Sequence, residues 1–130
     1  MISVKTLKAI AKKHLKDAAI LLQHKRFEGS IYLCGYGMEL ALKVRICKVL
    51  GWSGFPETRK EFDQYKSFKT HDLEVLLHLS GRESKIKGTH LSDWSIILKW
   101  DPEMRYKPKL YKKADAEDMF RSTNAVIKNL

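Results

Sequence analysis

The chain has 130 residues, 44% of them hydrophobic, and carries 25 Lys and Arg against 15 Asp and Glu, a formal net charge of +10. That length holds one domain around a single core, and that apolar content excludes an intrinsically disordered chain. The cationic surplus points to an acidic partner such as nucleic acid, a nucleotide or an acidic protein, although a lysine-rich solvated helix face would carry the same charge with no partner.

Residues 4 to 25 place Leu7, Ile10, Ala11, Leu15, Ala18 and Leu22 at three- and four-residue spacing, with Lys8, Lys12 and Lys16 elsewhere around the wheel. This spacing predicts an amphipathic first helix. From Met1 to Glu28 seven basic residues face two acidic ones, which is half of the chain's total surplus. Lysines break every apolar stretch there, so the segment does not read as a signal peptide and a cytoplasmic protein is expected. Arg26 to Gly29 read as a short joint that makes the first two helices antiparallel neighbours.

Ser30 to Leu50 is apolar on nearly every side and holds no proline. A helix with almost no solvent face belongs inside a bundle. A bilayer span is rejected because Glu39, Lys43, Arg45 and Lys48 would each be costly in lipid, so no membrane association is expected. Ser30, Cys34, Gly37 and Ala41 form a stripe of small residues that lets a neighbouring helix approach, and packing should offset the propensity cost of Gly35 and Gly37. Glu39 and Lys43 are spaced as a helical ion pair, which is either purely structural or a carboxylate turned to a cleft. Cys34 and Cys47 lie on this one helix, about 20 Å apart at helical rise, too far to bridge. Both are expected reduced and buried, and Gly51 ends the helix.

From Trp52 to Lys69 the pattern is irregular, with aromatic residues that either cover the open end of the bundle or stack bases. Thr70 is the expected N-cap of a helix from His71 to about Leu79, with Leu73, Leu76 and Leu77 on its core face. A polar stretch through Gly88 precedes a helix from about His90 to Trp100 that should bury Leu91, Trp94, Ile97 and Leu98. Arg105, Tyr106 and Lys107 fall in the next connection, before Pro108. A last helix over about 114–129 carries Met119, Thr123, Val126, Ile127 and Leu130 on one stripe. The expectation is a single all-α domain, an up-and-down antiparallel bundle of about five helices with no strand.

No HExxH, paired CxxC, glycine-rich phosphate loop or GxSxG occurs, and the five histidines lack metal-ligand spacing, so neither a metal nor a cofactor is expected. His71, placed at a helix start, should tend to be neutral and able to act as a base or acceptor. The alternative is a helix-start residue that only bonds backbone.

The order of HLKDAAILLQHKRFEGSIYLCGYGMELALK, FKTHDLEVLLHLSG and WDPEMRY resembles small HEPN-domain proteins of prokaryotes, over almost the whole chain. Its most specific parts are GYGMELALK at 35–43, KTHDL at 69–73 and Arg105-Tyr106. The resemblance implies a helical bundle, often a homodimer and often paired with a small nucleotidyltransferase protein. It also implies either a nucleotide- or RNA-binding module or a metal-independent ribonuclease of the toxin or defence kind. In active members an arginine precedes a histidine by four to six intervening residues, and the two assist attack of a ribose 2'-hydroxyl on the adjacent phosphate. No arginine here has that relation to a histidine; the nearest equivalent is Lys66, which has four residues between it and His71. The expected catalytic residues are therefore His71 and Arg105, and the expected nucleotide or RNA contacts are Lys66, Lys69, Tyr106, Glu39 and Lys43. A dimeric protein-interaction module is the remaining alternative.

Overall fold

A long helix without a polar face is stable in water only if other elements enclose it. In a computed structural model that describes residues 1–107 and 109–130, the side chain of Arg105 excepted, that helix is α2 (Phe27–Leu50), the axis of the domain. Around it pack α1 (Val4–Gln23), α4 (Leu73–Leu79) and α7 (Lys113–Lys128), and α6 (Leu91–Ile97) packs on α7. The fold is all-α, a helical bundle as the sequence predicts. Gly29 lies against Leu21 and Gly37 against Leu15, so α1 descends as α2 climbs and the two are antiparallel.

The small-residue stripe serves two neighbours. Ser30 Oγ donates to the Ala18 carbonyl of α1 at 2.8 Å, whereas Cys34 turns to Thr123 of α7. Burial pushes the Cys34 thiol up to about 12, the Thr123 hydroxyl offsetting part of the rise. Cys47 is likewise buried and its thiol raised, and both cysteines are free. Gly51, with φ +69°, ends α2 in the left-handed conformation that glycine favours. Lys25, at φ 60°, makes the equivalent turn after α1 without that freedom.

Several elements differ from the sequence expectation. Among the described residues there are seven α-helices rather than five, because Arg59–Phe62 (α3) and Glu83–Thr89 (α5) form short helices in stretches that read as irregular or polar. A capping box between Thr58 and Glu61 starts α3. Two short strands also form: β1 (Ile2–Ser3) pairs antiparallel with β2 (Gly54–Phe55), tying the start of α1 to the loop after α2. The ring of Trp52 packs against Phe55, Tyr65 and Phe68, and Phe55 against Phe62, so these loop aromatics close one end of the bundle upon one another. Leu91 and Leu98, expected inside, are 56% and 39% exposed, since α6 is only two turns long and buries Trp94 and Ile97 instead. No helix of the described residues is long and apolar enough to cross a membrane.

Candidate functional site

Glu39 sits halfway along α2 on the side opposite α1 and is 3% exposed. A buried carboxylate needs partners for both oxygens, and it has them. Oε2 pairs with Lys43 Nζ at 3.1 Å, one helical turn on, and Oε1 lies 2.8 Å from Nδ1 of His71. Lys43 in turn stands over the Phe55 ring, 5.1 Å from its centroid, so its ammonium is held between a carboxylate and an aromatic face.

His71 is not helical. Asp72 is the N-cap of α4, its carboxylate accepting from the amides of Glu74 and Val75, while Thr70 Oγ1 accepts from the Asp72 amide. Asp72 rather than Thr70 takes the cap, its carboxylate accepting from two amides at once and carrying a charge that the helix end favours. The consequence is that His71 precedes the cap, in the loop before α4, where Glu39 orients its ring. A neutral imidazole that donates its Nδ1 proton to a carboxylate leaves the Nε2 lone pair free. The ring is 65% exposed at its side chain and lines a cavity of about 280 Å³ with Asp72, Leu73, Leu98 and Trp100. Chemically, this is an anchored base or hydrogen-bond acceptor at the mouth of a shallow cavity.

Trp100 forms the cavity wall. Its Nε1 donates to the Tyr32 carbonyl at 3.2 Å and its ring meets Tyr36 edge-on at 5.1 Å, over the one place on α2 where Gly35 leaves room. Of the expected contacts, the structure thus brings together Glu39, Lys43 and His71. Lys66 and Lys69 are exposed on the loop that leads to His71, with no ion pair among the described residues. Tyr106 closes a 3-10 turn at Pro102–Tyr106 and is 67% exposed. The role expected of Arg105 falls on a side chain outside the described residues.

A second cavity escaped the sequence reading. About 620 Å³ in volume, it lies where the turn after α1 meets the segment before α7, and its lining includes Lys25, Arg26, Phe27, Tyr32, Lys109 and Tyr111. Burial and the nearby carboxylates of Glu28, Asp115 and Asp101 push the Tyr111 phenol up, which keeps it a hydrogen-bond donor. The signal was present in the adjacent Lys25 and Arg26, but nothing local says that residues 109 and 111 return to them. Among the described residues no three His, Cys, Asp or Glu side chains are grouped to hold a metal.

Fold and site together define a basic, all-α bundle that presents one histidine anchored on a buried carboxylate. In comparisons with family models, curated proteins and solved structures, nothing matches this chain.

Proposed function

We propose that this chain is a HEPN-type nucleotide- or RNA-binding module centred on His71. The observation that carries the reading is the 2.8 Å contact of Glu39 with His71, which presents an oriented imidazole at a cavity on a protein of net charge +10. Lys66 and Lys69, exposed on the approaching loop and without an ion pair among the described residues, supply phosphate attraction, which is sequence-independent and falls with salt. The larger cavity adds three cations and three aromatic rings, the two kinds of group that hold a phosphate and a base. Such a module is the HEPN half of a pair with a nucleotidyltransferase in a toxin or defence system, and it works as a homodimer.

A second reading, metal-independent RNA cleavage, is favoured by the same anchored histidine. His71 Nε2 would take the proton of a ribose 2'-hydroxyl as that oxygen attacks phosphorus and the P–O5' bond breaks, the leaving 5'-oxygen taking a proton from solvent, to give a cyclic phosphate and a 5'-hydroxyl. Lys66 or Arg105 would offset charge on the phosphate, and Glu39 would stabilise the imidazolium. A labelled single-stranded oligoribonucleotide, incubated in chelator with wild type, His71→Ala and Lys66→Ala, separates the readings. Retarded but intact RNA supports the binding module, cyclic-phosphate products lost in His71→Ala support the enzyme, and neither retention nor cleavage at low salt overturns both.

A further inference from the structure

A groove of about 340 Å³ runs between α1, α2 and α7, away from His71. Its floor is aliphatic, made of Ala11, Leu15, Ala41, Val44, Ile127 and Leu130, and cations stand along both of its edges. Lys8 and Lys12 flank it on α1; Arg45 and Lys48 flank it on α2. None of the four forms an ion pair among the described residues, and the buried Nε of Arg45 has no hydrogen-bond partner.

From these features we infer that the groove docks an acidic amphipathic helix of a partner protein, apolar residues down and carboxylates toward the two cationic edges. Charge complementarity selects this occupant. The same face of a second copy would set four cations against four, a repulsive arrangement. A nucleic acid would find neither an aromatic ring to stack on nor a polar group on the floor to read a base. A single anionic headgroup would use one end of the groove, whereas the cations are spaced a helical turn apart along each edge, as carboxylates are on a helix. Small residues at Ala11 and Ala41 leave the floor deep enough for leucine or isoleucine side chains to enter.

The test is fluorescence anisotropy of a labelled helical peptide with leucine at i, i+3, i+4 and i+7 and glutamate beside them, against the same residues in shuffled order and an analogue with lysine for glutamate. Saturable binding of the leucine-glutamate peptide is expected, weakening with salt and falling at least about tenfold in the variant Lys12→Glu with Lys48→Glu. Both lysines are exposed, and an unchanged melting curve shows that the variant folds. The variant should in exchange gain affinity for the lysine analogue. The inference fails if no saturation occurs up to about 1 mM peptide, if the shuffled peptide binds equally, or if the variant is indifferent. Displacement of the peptide at equal affinity by decanoate or by an oligoribonucleotide assigns the groove to that ligand instead. Concentration-dependent dimerisation abolished by the variant assigns it to a second copy.

Discussion

Glu39 and His71, 32 residues apart in the chain, meet at 2.8 Å between the central helix and the loop that feeds α4. The carboxylate decides which imidazole nitrogen carries the proton. In Glu39→Gln, nitrogen chemical shifts of His71 should move from a fixed Nδ1–H tautomer toward a mixture. RNA affinity or cleavage should fall with it, and Lys43, 15% exposed at its side chain, loses its counter-charge at a cost of about 2 kcal/mol in urea unfolding. An unchanged His71 spectrum would refute the anchoring role.

Gly35 and Gly88 make a paired test. A Cβ on Gly35 would overlap the Trp100 indole, while one on Gly88, in α5, meets nothing. Gly35→Ala should destabilise by about 1–3 kcal/mol in spite of its better helix propensity, because Trp100 must leave its site. Gly88→Ala should stabilise by about 0.5–1 kcal/mol. Thermal melts of the two variants shifting in the same direction would contradict this.

Lys25 holds φ 60° just after α1, and the following Arg26 amide bonds back to the Leu21 carbonyl at 2.8 Å. Lys25→Gly should relieve the left-handed strain and add about 0.5–1 kcal/mol in chemical denaturation. The same change removes a cation from the 620 Å³ cavity, so RNA or nucleotide affinity should drop while stability rises.

With its thiol pushed up to about 12 by burial, Cys34 should resist iodoacetamide at pH 8 in the folded protein and react at the rate of unfolding. Its linkage to pH follows from the raised value. Below the ordinary thiol range both states keep the proton; above it only the unfolded state releases it, so stability declines as pH climbs past about 8.5. Cys34→Ser melts should lack this alkaline decline, less the share of Cys47.

Glu74 accepts from Trp94 Nε1 at 2.9 Å and pairs with Lys87 at 3.1 Å, which hold its carboxyl below the ordinary range. A depressed carboxyl stabilises above its unfolded value and loses that contribution as pH falls through the folded one. The gap in unfolding midpoint between wild type and Glu74→Gln should be open at pH 7 and shrink below about pH 4. A gap constant with pH would remove the carboxylate's role in holding α4, α5 and α6 together.

Local pattern made the long helices legible. The apolar excess of 30–50, the lysine-free stripe of α1 and the Gly51 stop each act within a turn or two, so sequence alone exposes them. Glu39 and Lys43 were readable as a pair for the same reason. Their meeting with His71 was not legible, since it depends on how a loop crosses the bundle. Whether Thr70 or Asp72 caps α4 turned on a competition of two good caps, and the two-residue strands rest on pairing across 50 residues that no local signal encodes. The exposed Leu91 and Leu98 read as core because periodicity marks a face without telling whether another element covers it.

The indole of Trp100 shares its cavity with the His71 ring while its other side leans on Tyr36. Protonated imidazole quenches indole emission and tyrosine feeds it, so the protein carries an optical reporter at its own site. Whatever settles over His71 writes itself into the emission of the residue that walls its cavity.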